Sequence, residues 1–203
     1  CRAIGVIVGT IVAAIAFAGM GVTAQADEIM DQINEAVELY QQGDYSGAAS
    51  GLDFAAQQIR QLQAGRVSEA LPAPLEGWEA HDPETSAMGA AFFGGGISAG
   101  RSYEKDDARI EIQILSDTPM LQGALMLLNN PMLVSSSGQK LTRVKGNKAL
   151  VEYDKTDQSG EMSIVIMNTV LVTINGSSAA LEDMTAYAEA IDYDLIKTLA
   201  SAQ

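Results

Sequence analysis

The one histidine in this chain, His81, sits in Glu76-Gly77-Trp78-Glu79-Ala80-His81-Asp82-Pro83-Glu84. Glu79, His81, Asp82 and Glu84 offer one imidazole nitrogen and three carboxylates, a donor set suited to zinc or manganese. A second His would make metal binding convincing, and the chain has none. Charge clusters in linkers are more often solubilising, so the expectation is a solvated acidic loop with no metal and no cofactor. A hydrolytic triad would also have to use His81. Ser98 lies in Gly96-Ile97-Ser98-Ala99-Gly100, a formal match to the nucleophile elbow. That motif needs a parallel strand before the serine and a helix after it, and the pattern here supplies neither. Gly94-Gly95-Gly96-Ile97-Ser98-Ala99 also fits a dinucleotide fingerprint in form, but the next stretch alternates like a strand, so no helix N-terminus follows to receive a pyrophosphate. Cys1 is the only cysteine, which excludes internal disulfides, a Cys-based zinc site and a downstream catalytic thiol. The chain is therefore not expected to be an enzyme.

The least ordinary segment is Pro119 to Val134, PMLQGALMLLNNPMLV. Asp117 or Thr118 is placed to cap it, with Pro119 in the first turn. Met120, Leu121, Ala124, Leu125 and Leu128 form the expected inward stripe. Met126 and Leu127 carry the apolar surface further round, which a one-faced amphipathic helix does not need. Flexible Met side chains suit an adaptable contact surface. Met120, Leu121, Met126, Leu127, Met132 and Leu133 are the candidate partner-binding residues. The segment is too short to span a membrane.

Composition bounds what such a surface could meet. The 203 residues carry 12 basic and 26 acidic side chains, a formal net charge of −14. Nucleic acid is excluded as a partner, because phosphate binding needs Lys and Arg gathered on one face. Apolar residues make up 47% of the chain, enough for one sizeable core. Residues 3–24 are uncharged, follow Arg2 and lead into Ala24-Gln25-Ala26, which is the order of a secretory signal. Residues 1–26 are expected to be that signal, cleaved after Ala26, leaving a periplasmic or secreted body. The run is long enough to serve instead as an uncleaved anchor, the only route to membrane contact. The chain opens on Cys1, so the true start is expected upstream.

The elements that position these residues follow from periodicity. Ile29, Ile33, Ala36, Val37 and Tyr40 recur at helical spacing, then Gly43 suits a helix end, with Asp44 or Ser46 capping the next helix. Tyr45, Ala48, Ala49, Leu52, Ala55, Ala56, Ile59 and Leu62 make a second stripe. The hairpin is assigned to residues 27–66, with helices near 28–42 and 45–64 and Tyr40 packed on Tyr45 across the turn. The run Leu39-Tyr40-Gln41-Gln42-Gly43-Asp44-Tyr45 with Ala48 and Ala55 resembles one tetratricopeptide repeat, whose small residues let two helices approach closely.

Residues 67–100 form a Gly- and Pro-rich connection, with Phe92-Phe93 as an apolar island, and residues 101–203 form a sheet with helices. Strands are expected at 97–104, 109–115, 139–144, 148–154, 161–167 and 169–174, joined by tight turns at Lys105-Asp106-Asp107, Lys145-Gly146-Asn147 and Asn168. Tight turns imply antiparallel pairing, with helices covering one face; Leu171 and Val165 lie opposite Val172 and Ile164, so some of the second face is expected to be covered too. A helix at 181–191, capped near Ser177 or Ser178, and a short turn from Asp192 to Leu199 close the chain. The fold class is α+β: an N-terminal helical hairpin, then a curved antiparallel sheet with flanking helices. Pro74, Gly77 and Trp78, the Lys145-Gly146-Asn147 hairpin and the closing helix resemble PsbP-like domains, and the stretch from Gly146 through Asn175-Gly176 to Asp192 resembles uncharacterised bacterial exported domains. That resemblance implies a noncatalytic accessory role.

These readings converge on an exported accessory protein that binds an envelope protein or itself through the apolar helix and the hairpin. Two alternatives stand beside it. One is a periplasmic carrier or sensor of an apolar ligand held in a pocket between sheet and helix. The other is the metal-dependent or hydrolytic enzyme using His81.

Overall fold

The computed structural model describes residues 20–87, 96–116, 118–130, 132, 134 and 138–201. The chain divides into two compact units, Cys1–Ala55 and Ala56–Gln203. In the first, α1 (Met20–Gln41) is followed by the start of α2 (Tyr45–Ser68). Residues 3–19 of the expected signal lie outside the described residues, and the expected cleavage point at Ala26 lies within α1.

The turn between the helices is set locally. Gly43 takes φ 86°, a left-handed conformation that costs glycine little. Asp44 N donates to Leu39 O and Gly43 N to Tyr40 O, which is the Schellman pattern that satisfies the last carbonyls of a helix. The Asp44 carboxylate then caps α2 by accepting from Gly47 N at 2.9 Å. Ala36 and Gly51 meet across the pair, as do the rings of Tyr40 and Tyr45, 5.4 Å between centroids. These cross-turn contacts make the helices antiparallel. Both run beyond the expected bounds: α2 passes Gly65 to Ser68, because one interior glycine costs only about 1 kcal/mol.

The second unit is α+β, built on an eight-stranded antiparallel sheet that does not close. Its strands are β1 (Glu79–Ala80), β2 (Glu84–Ala87), β3 (Ile97–Lys105), β4 (Ala108–Ser116), β5 (Lys140–Val144), β6 (Asn147–Asp154), β7 (Ser159–Ile166) and β8 (Val170–Ser177). The order is β1-β3-β4-β8-β7-β6-β5, with β2 also on β3. Its helices are α3 (Pro119–Leu128), α4 (Leu181–Ala190) and α5 (Tyr193–Ser201), with the end of α2. Turn chemistry agrees with the hairpins. Lys145 and Gly146 both take positive φ, as a two-residue type I′ turn requires. Met167 and Asn168 are also left-handed, closing β7 onto β8.

Period-2 alternation sorts the sheet's two faces. Ile110, Ile112 and Ile114 of β4 join Val172 and Ile174 of β8 and Ile164 of β7 in the main core. Met184, Tyr187 and Ala188 of α4 and Ile196 of α5 cover that face. On the other face, Leu150, Val165 and Leu171 pack against Leu121, Ala124 and Leu128 of α3. Helices therefore cover both faces, the second only in part, because β7 and β8 are apolar on both sides at that end.

Other expectations are corrected too. The 67–100 connection contains β1, β2 and the start of β3, because β3 offers an edge that short segments can pair with. Phe92-Phe93, with Gly94 and Gly95, lies outside the described residues. The N-cap of α4 is Ala180, with no side-chain cap bond; its first turn instead carries Glu182 and Asp183, which favour a helix N-terminus electrostatically. The closing segment after Asp192 is helix α5. Asp192 Oδ1 accepts from Asp194 N at 3.1 Å and Leu195 N at 2.9 Å, a cap that initiates it.

Candidate functional site

The apolar candidate is α3. Thr118 is its N-cap, extended at φ −98° and ψ 145°, with its side chain accepting from Met120 N, and Pro119 occupies the first turn. Pro lacks the N–H that would be orphaned there. Asp117 lies outside the described residues. Leu121, Ala124 and Leu128 are buried on the sheet, and Leu125 and Leu127 are partly buried beside them. Met120 and Met126 are 57% and 65% exposed, and Met132 is 82% exposed. The candidate set is thus split. Leu121 belongs to the core and Leu127 lies at its margin. Met120, Met126 and Met132 face outward, whereas Met120 was expected inward. Leu133 lies outside the described residues. Three- and four-residue spacing places 121, 124 and 128 on one stripe, and Met120 lies beyond the Ala124 side of it, about 100° round from Leu121.

Towards β3 this sheet face is polar. Cross-strand register sets Gly100, Gln113, Thr173 and Ser163 in one row and Ser102, Glu111, Asn175 and Glu161 in the next. At the β3 edge a cavity of about 320 Å³ opens between His81, Glu84, Ser98, Arg109, Glu111 and Gln113. Two of its basic side chains share one carboxylate. His81 Nε2 lies 3.3 Å from Glu104 Oε1, and Arg109 reaches the same oxygen at 3.1 Å. Arg109 also donates to Ser102 Oγ at 3.0 Å, and Gln113 Nε2 donates to Glu111 Oε1 at 2.7 Å. Arg101 Nε donates to His81 O at 2.7 Å, holding the acidic stretch against the β3 edge.

This arrangement does not gather the four acidic-stretch residues as ligands. Glu79, His81, Asp82 and Glu84 are each exposed, and among the described residues no three His, Cys, Asp or Glu side chains converge as a metal site. The partner of His81 is Glu104, from β3. Ser98 sits inside β3, paired with Ser86 and Leu115, and its hydroxyl donates to Ser86 O. It is thus an extended-strand residue and not the apex of a strand-to-helix turn. Gly96 also leads into β3 and not into a helix.

Sequence reasoning missed Arg109, Glu111 and Gln113 as a lining and Glu104 as the partner of His81. The alternation of Arg109, Glu111 and Gln113 marks a wet strand face, but not that His81 lies beside it.

Around Trp78, Tyr187 stands edge-on at 5.4 Å and Tyr103 lies 4.4 Å from Tyr187. The Tyr103 hydroxyl donates to Pro72 O at 2.7 Å, and Leu75 N donates to Tyr187 Oη. These contacts fasten the Pro-rich segment to the core. Burial pushes the phenols of Tyr103 and Tyr187 above their ordinary value. At the β6–β7 turn, backbone N–H groups of Thr156 and Asp157 hold the Asp154 carboxyl below its ordinary value.

Comparison with protein-family models, curated proteins and solved structures found no match. Among the described residues no helix is long and apolar enough to cross a membrane.

Proposed function

We propose that this is an exported, noncatalytic accessory protein that binds an envelope partner, or a second copy of itself, through the outer side of α3 and the helical hairpin. In this reading the hairpin is a single tetratricopeptide-like unit and the sheet domain is PsbP-like. One observation carries it. α3 is anchored by Leu121, Ala124 and Leu128, yet presents Met120 and Met126 to solvent, with Met132 just beyond. An anchored helix with an exposed thioether surface has a fixed backbone and adaptable side chains, which suits a protein contact.

The carrier reading has less support. The apolar recess lined by Val67, Ile97, Ile114, Val170 and Ile196 holds about 20 Å³, room for about one water. The test is Met126→Asp. Its side chain is exposed, so the variant is expected to keep its circular dichroism spectrum and unfolding midpoint. It is also expected to lose association, read by sedimentation of the purified chain and by co-purification from envelope extracts. A folded variant that associates like the parent would overturn the proposal.

A further inference from the structure

The first unit has an uncovered apolar face of its own. The helix pair is closed by small residues: Ala36, Ala48 and Ala55 are buried, and Gly51 meets Ala36. Val37, Ala49 and Leu52 each follow one of these by a single step, about 100° of rotation. In an antiparallel pair, equal offsets from the contact line fall on the same side. Met30, Ile33, Val37 and Tyr40 form the stripe on α1, and Tyr45, Ala49 and Leu52 the stripe on α2. The Tyr40–Tyr45 ring contact joins the two at the turn. Met30, Val37, Tyr40, Tyr45 and Leu52 are between 46% and 65% exposed.

Charge decides what can cover this face. From Met20 to Ala55 the acids are Asp27, Glu28, Asp31, Glu35, Glu38, Asp44 and Asp53, with no Lys, Arg or His. A second hairpin would bring the same sign of charge, and an anionic lipid surface would be repelled. A helix pair also offers no free strand edge for an extended peptide to join. Resting on the interaction reading above, we infer that this face docks an amphipathic helix of a basic partner, its apolar stripe flanked by Lys and Arg. The apolar side chains supply the contact area, and the single-signed field steers encounter and selects the partner.

The experiment uses the full chain and three probes. One is a synthetic helix of about five turns with Leu on one stripe and Lys elsewhere. The second is its twin with Glu in place of Lys, and the third is vesicles of phosphatidylglycerol. The Lys peptide is expected to bind, more weakly as salt rises. Val37→Gln and Leu52→Gln are each expected to weaken it about tenfold, with Met167→Gln at the exposed β7–β8 turn unchanged. Should a Gln variant lose its helical circular dichroism, Val37→Ala and Leu52→Ala take its place. The inference is overturned if the Glu peptide binds equally well, if the vesicles bind and the Lys peptide does not, or if folded hairpin variants bind the Lys peptide like the parent. Those outcomes leave the α3 result with Met126→Asp untouched, so the two readings fail separately.

Discussion

Gly51 lies against Ala36: a Cβ added at Gly51 would sit 3.1 Å from the Ala36 Cβ. The hairpin is thus closed by its smallest side chains, while Val37 and Leu52 point away. Ala48→Leu or Ala55→Leu is expected to prise the helices apart and cost about 1–3 kcal/mol through overpacking. Urea unfolding followed by circular dichroism measures this. Parental midpoints in both variants would show that the helices are not closely packed.

Two strand glycines should respond differently to the same small change. A Cβ at Gly160 would lie 2.3 Å from Glu152 O, a backbone atom of the paired strand. At Gly176 the nearest atom is Met184 Sδ, at 2.6 Å, the end of a flexible side chain that can swing aside. Gly160→Ala is expected to cost about 3 kcal/mol and Gly176→Ala about 1 kcal/mol. The reverse order in thermal melts would show that the β6–β7 pair is more yielding than this geometry implies.

Three buried phenols give stability an alkaline limit. Burial raises the pKa of Tyr103, Tyr187 and Tyr193. In the unfolded chain each ionises near about pH 10. Above that pH the unfolded chain has released protons that the folded chain still holds, so stability falls as pH rises. Below it the contribution is fully present. Urea midpoints are expected to be flat up to about pH 10 with respect to these groups and to drop above it. A midpoint unchanged to about pH 12 would mean that the phenols are not buried.

Peroxide should sort the methionines by position. Met30, Met120, Met126, Met132 and Met167 are exposed, whereas Met162 and Met184 are 2% and 0% exposed. Peptide mapping after mild oxidation is expected to find sulfoxide in the first group before the second. Oxidised but folded protein should also associate more weakly, since sulfoxide makes the outer side of α3 polar. Early oxidation of Met184 would contradict the covered core face.

Much of this architecture is readable without coordinates because it is decided locally. Alternating Ile110, Ile112 and Ile114 already identify β4, and Gly146 between two strand-like runs already marks a hairpin, since positive φ there favours glycine. The cap-and-proline pair Thr118-Pro119 marks the start of α3 in the same way, and Gly43-Asp44 marks the hairpin turn. Valines and isoleucines at even positions of β8, with Leu171 between them, already state that both of its faces need cover.

Only the tertiary structure decided which distant segments meet. Nothing in β4 specifies β8 as its neighbour, yet that pairing sets Glu111 beside Asn175 and extends the polar rows. His81 could have met any carboxylate, and β1 pairing on β3 gives it Glu104. The hairpin stripes contain both alanines and large apolar residues, and periodicity cannot say which sit at the contact line; close approach selects the alanines and leaves Val37 and Leu52 outside. Nor does a largely apolar helix such as α3 fully announce its inward side. Leu121 is buried and Met120 exposed because the sheet beneath supplies its apolar patch at Leu150, Val165 and Leu171, and that patch exists only once three strands stand side by side.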